Sequence, residues 1–203
     1  MELLSWVFEI QAITASGALS PGPLTIVTAG SGIKTGWKAG FLAALGHMII
    51  EFPLVLLLSF GILNVTKEAR LLLSFLGGAI LVFFAFLQFK SVKNVELRAT
   101  GTSKNAFLVG LSLTALNPYF ILWWLTVGTK LILDSMSLFS FNGIFLMYVL
   151  HVWMDFAWLM LIAHIFYKGS KISSSVLKVI SIILGCLMVY FGFAFMYNAI
   201  TEF

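Results

Sequence analysis

The 203-residue chain is 61% hydrophobic and only 10% charged, with a mean hydropathy of +1.05, whereas soluble domains run at roughly 45–50% apolar and 25% charged. This excludes an ordinary soluble domain: a spanning helix takes about 20 apolar residues, and six such spans with short loops would fill the chain. The net charge of +4 speaks for membrane topology rather than nucleic acid, because the basic residues fall between apolar runs.

The first apolar run covers about residues 3–32. No basic stretch precedes it and no small-residue cleavage site closes it, so a cleaved signal peptide is not expected. It carries Ser20-Pro21-Gly22-Pro23. Two prolines remove two backbone donors and clash with carbonyls one turn back, and the glycine between them lowers helix propensity further. Within lipid, freed carbonyls are tolerated only where protein buries them or where they line a cavity. The helix is therefore expected to break at residues 20–23. A kink that only shapes packing is the plainer alternative.

The second run, about 37–63, carries small residues at Gly36, Gly40, Ala43 and Ala44, leading to His47. Such a stripe lets helices approach closely in lipid, so this face should be buried. His47 and Glu51 share it, four residues apart. Glu51 lies 13 residues beyond Lys38, roughly 20 Å along a helix. The third run, about 69–90, contains Phe75-Leu76-Gly77-Gly78, and a polar, basic stretch at 91–104 follows.

The fourth run, about 105–129, is interrupted by Asn117-Pro118 and carries Trp123 and Trp124; the fifth, about 138–166, places His151 and Asp155 four residues apart. The sixth, about 173–200, contains Ile183-Leu184-Gly185-Cys186. A single cysteine rules out an intrachain disulfide or thiolate cluster, and Cys186 reads as a packing residue.

The runs therefore correspond in order: a proline break, a His/acid pair, then a glycine motif, each twice. Three spans per half make the halves enter the membrane in opposite directions. The expected fold is all-α and integral to the membrane: six helices as two inverted three-helix repeats, at 1–90 and 105–203, joined by a basic cytoplasmic linker at 91–104. Loops after odd spans hold Lys34, Lys38, Lys90, Lys93, Arg98, Lys104, Lys168, Lys171 and Lys178; those after even spans hold Lys67, Arg70 and Lys130. The bias puts odd loops in the cytoplasm and both termini outside.

Ionisable groups inside a membrane are costly, and they face the protein interior with a partner. His47/Glu51 and His151/Asp155 thus admit three readings. One is a hydrogen-bonded lock between helices. Another is a proton-coupling or substrate-binding site, since histidine exchanges protons near neutral pH. The third is a metal site of two histidines and two carboxylates. No Walker loop, dinucleotide fingerprint, H-E-x-x-H or G-x-S-x-G motif is present, so neither an enzyme nor a cofactor is expected.

Ser20-Pro21-Gly22-Pro23, the glycines at 32, 36 and 40, Gly46-His47 and Glu51-Phe52-Pro53, with Asn117-Pro118 before Ile121-Leu122-Trp123-Trp124, resemble the LysE-type translocators, the LysE/RhtB amino-acid exporters. The resemblance covers nearly the whole chain. It implies gradient-driven efflux of amino acids or related metabolites. Leu24 stands where many members carry Asn, and the His/acid pairs are not general to the better-known exporters. The wider superfamily also handles metal ions.

The resulting expectation is a multi-pass secondary transporter of the cell membrane, with a small-molecule substrate and a proton as coupling ion. Its substrate or coupling site would comprise Ser20, Pro21, Gly22, Pro23, His47, Glu51, Asn117, Pro118, His151 and Asp155. Lipid is the expected surrounding, nucleic acid is not a partner, and a homo-oligomer is compatible with this reading. The rivals are a divalent-cation transporter, which loses metal binding on His47→Ala, and a non-transporting scaffold whose deep polar residues line no cavity.

Overall fold

In a computed structural model, residues 2–20, 22–62, 66–91, 105–169 and 173–201 are described. Pro21, Lys171 and the 92–104 stretch with Lys93, Arg98 and Lys104 lie outside them. Among the described residues the regular structure is helical, with no strand.

Helix α1 (Glu2–Ala18) stops ahead of the first proline motif, and α2 (Pro23–Thr35) restarts with Pro23 in its first turn, where a missing N–H costs least. Gly36, at φ 61°, turns the chain into α3 (Trp37–Ile62), and α4 (Lys67–Ser91) follows. In the C-terminal part, α5 (Ala106–Ala115) is capped by Asn105, whose side chain accepts from Leu108 N. Asn117 caps α6 (Pro118–Trp123), accepting from Tyr119 N at 3.0 Å. A π-helical turn at Trp124–Gly128 leads into α7 (Thr129–Phe139), then α8 (Asn142–Tyr167) and α9 (Ser174–Thr201).

Trp37–Gly61, Asn142–Tyr167 and Ile182–Thr201 are each long and apolar enough to cross a membrane. Ala106–Ala115 and Tyr119–Phe139 form a further pair, bent by 61°, and Phe75–Leu87 is a shorter apolar stretch. The outward surface carries large apolar side chains such as Leu57, Phe86, Val149 and Phe193, as a lipid-facing surface requires.

Two expectations need correction. The sequence reading ends the fourth run near residue 129 and puts Lys130 in a loop, but the helix continues to Phe139. Lys130 sits within α7, paired with Asp134 one turn on and 3.9 Å from Glu9 of α1, its ammonium over the Phe195 ring. Two acids and a ring let a cation remain on a helix face that would otherwise need water. Cys186 is exposed rather than packed inside; its neighbours Leu184 and Gly185 take the buried positions on α9.

Backbone contact dominates the helix crossings. A Cβ on Gly110 of α5 would run into the Ala43 carbonyl of α3, and one on Gly46 of α3 into the Phe107 carbonyl of α5. Gly40 of α3 meets the Leu159 carbonyl of α8 in the same way. Gly78 of α4 and Gly192 of α9 face each other's carbonyls. Helix α3 thus packs on α5, α8 packs on α2 and α1, and α4 packs on α9.

Candidate functional site

These crossings border a half-open cavity of about 530 Å³. Ser20, Gly22, Pro23 and Asn117 reach it from the two helix breaks, and His47, Glu51, His151 and Asp155 reach it from α3 and α8. Eight of the ten sequence-predicted residues therefore meet in one space. Pro21 lies outside the described residues, and Pro118 opens α6.

Glu51 is 1% exposed and is the centre of the cluster. Its Oε1 faces His47 Nε2 at 3.1 Å, His151 Nε2 at 3.2 Å and the indole Nε1–H of Trp124 at 3.1 Å. The Tyr148 hydroxyl donates to Oε2 at 3.2 Å. Each histidine is held from behind by a threonine: His47 Nδ1 lies 2.8 Å from Thr114 Oγ1 of α5, and His151 Nδ1 2.9 Å from Thr14 Oγ1 of α1. The threonine hydroxyls can donate to Nδ1, which leaves both Nε2–H groups for Glu51.

The sequence suggests two equivalent His/acid pairs, but both imidazoles converge on Glu51. His151 Nε2 lies 3.7 Å from Asp155 Oδ2, beyond a hydrogen bond. Asp155 Oδ2 is buried and has no hydrogen-bond partner. The asymmetry goes with the Thr14 contact: with its Nδ1 held 2.9 Å from Thr14 Oγ1, the His151 ring presents Nε2 to Glu51 Oε1 rather than to Asp155.

Sequence reasoning missed Tyr148, Thr14 and Thr114. The available signal was a hydroxyl inside an apolar span within two turns of each break, and a tyrosine one turn before His151. Trp124 reads from sequence only as an aromatic near a cavity. Its placement depends on the π turn, where the Thr129 hydroxyl donates to the Trp124 and Leu125 carbonyls. A Cβ on Gly128 would collide with the Trp124 ring. Trp123 lines the cavity, Trp158 is buried with its indole N–H 3.4 Å from Thr25 Oγ1, and Trp153 is half exposed and donates to Gln11.

The family model described as LysE type translocator matches residues 15–199, a stretch containing both helix breaks and His47, Glu51, His151 and Asp155. No curated protein and no solved structure matches the chain.

Proposed function

Because this chain belongs to the LysE type translocator family, whose members are membrane transporters rather than enzymes, we propose that it exports amino acids or related small metabolites across the cytoplasmic membrane, coupled to protons. The observation that carries this reading is the convergence of both helix breaks and all four deep ionisable residues on one cavity. Its volume falls in the range of small-ligand sites, about 300–1,000 Å³.

The polar groups suit a zwitterion. The N-terminus of α2 borders the cavity, and Gly22 has no side chain to cap it. Helix N-termini attract anions through free N–H groups and the helix dipole. Asp155, with an unpartnered buried oxygen, would receive an ammonium group. His47, His151 and Glu51 form the hydrogen-bonded relay beside it.

In this reading, 1–90 and 105–203 are inverted three-helix repeats, making six spans, with 91–104 as a basic cytoplasmic linker. Reciprocal contacts support it: His47 of the first part bonds Thr114 of the second, and His151 of the second bonds Thr14 of the first. Helices α4 and α9, third in each part, pack on one another. The scaffold alternative requires deep polar residues that line no cavity, and here they line one.

Proteoliposomes loaded with labelled amino acids test the reading. Wild-type protein should release label faster when a pH gradient is imposed, and Glu51→Gln/Asp155→Asn should lose that acceleration. Equal gradient-driven flux from the variant and the wild type would remove the coupling role.

A further inference from the structure

The cluster has a second chemical capacity, which uses the same Asp155 oxygen that the export reading gives to a substrate ammonium, so the two occupants exclude one another. We propose that His47, Glu51, His151 and Asp155 form a four-ligand site for one divalent transition-metal ion of the zinc class.

The spacing is the first argument. Zinc bonds of about 2.0–2.1 Å in a tetrahedron put neighbouring donor atoms roughly 3.3–3.4 Å apart. The donors here stand at 3.1 Å (His47 Nε2 to Glu51 Oε1), 3.2 Å (His151 Nε2 to Glu51 Oε1) and 3.7 Å (His151 Nε2 to Asp155 Oδ2). Donor atoms of His47, Glu51 and Asp155 all lie within 4.8 Å of one another; His151 stands outside that trio but within 3.7 Å of both carboxylates, so side-chain movement has to bring it in as the fourth ligand.

The second argument is Asp155 Oδ2, a buried acceptor beside two imidazoles with no hydrogen bond to satisfy it. A cation at the centre of the four donors supplies its missing partner. The third is the outer shell. Metal-bound histidine hydrogen-bonds through its other ring nitrogen, which fixes the ring, and Thr14 and Thr114 occupy those places. A threonine hydroxyl accepts as readily as it donates. Each imidazole can therefore carry its proton on Nδ1, toward threonine, and offer a bare Nε2 to the ion. On loading, Glu51 Oε1 exchanges N–H donors for the metal, while Tyr148 keeps Oε2. Two imidazoles with two carboxylates suit zinc-class ions rather than magnesium or calcium, which prefer all-oxygen shells.

The test uses the full chain in nanodiscs, stripped with chelator and titrated with Co2+ and then Zn2+. One equivalent of Co2+ should give the intense visible bands of a four-coordinate site, bleached by Zn2+. X-ray absorption of the zinc-loaded wild type should show two imidazoles and two oxygens at about 2.0–2.2 Å. His151→Ala and Asp155→Asn should abolish binding, and Thr14→Val and Thr114→Val should weaken it about 10–100-fold. His164→Ala, outside the cluster, should bind as wild type. No uptake by wild type at micromolar Zn2+, a zinc shell without imidazole, or unchanged binding in Asp155→Asn would each overturn the proposal. Should His151→Ala fail to fold, Asp155→Asn and the wild-type absorption data decide. Loss of amino-acid flux leaves these readouts untouched.

Discussion

A carboxylate with four donors at hydrogen-bond distance, and a neighbouring one whose Oδ2 accepts none, respond oppositely to substitution. Tyr148→Phe removes one donor from Glu51 and leaves three; it should cost about 1.5–3 kcal/mol, the usual worth of a hydrogen bond to a charged group, seen as earlier thermal unfolding in detergent. Asp155→Asn should leave that unfolding temperature unchanged or raise it while the proposed export is lost, because it replaces a buried carboxylate oxygen that accepts no hydrogen bond. A clear drop for Asp155→Asn would make Asp155 a structural residue. The sequence exposes both acids, since an ionisable residue inside an apolar run is conspicuous. It does not expose their different surroundings. Tyr148 and Trp124 reach Glu51 across 97 and 73 positions, and contacts at such separations leave no local periodicity to read.

At the scale of helices, proline chemistry is local and therefore legible: the breaks fall where lost donors require them. The length of α7 is not, because Lys130 reads as a loop cation until Glu9 of α1 and Phe195 of α9 are brought beside it. The π turn is hidden for a similar reason, as its widened backbone depends on Thr129 and on the room left at Gly128 for the Trp124 ring. The small-residue stripe points to close packing without identifying the partner helix. Since α3 and α5 meet backbone to backbone, Gly110→Ala must push them apart. An overpacking cost of about 1–3 kcal/mol is expected, with weaker helix pairing in thermal unfolding. Gly61→Ala on α3, with nothing within 4 Å of the added carbon, should be neutral or slightly stabilising and serves as the control.

For the whole molecule, the proposed orientation rests on the charge bias of the sequence, in which Lys67 and Arg70 open α4 and Lys130 lies within α7. A reporter enzyme active only outside the cytoplasm, fused after Phe203, should be active, and the same reporter inserted at 91–104 should be silent; the reverse pattern would invert the topology. The threonine contacts carry a mechanical consequence. Each imidazole rests on a helix from the other part of the chain, His47 on α5 and His151 on α1. If one part rocks against the other, neither ring can keep both its threonine and its place at Glu51. The cluster then behaves as a clasp with two hooks: it closes in a single relative setting of the two parts, and under the proposed export reading its opening would mark the moment when the molecule changes the side of the membrane it faces.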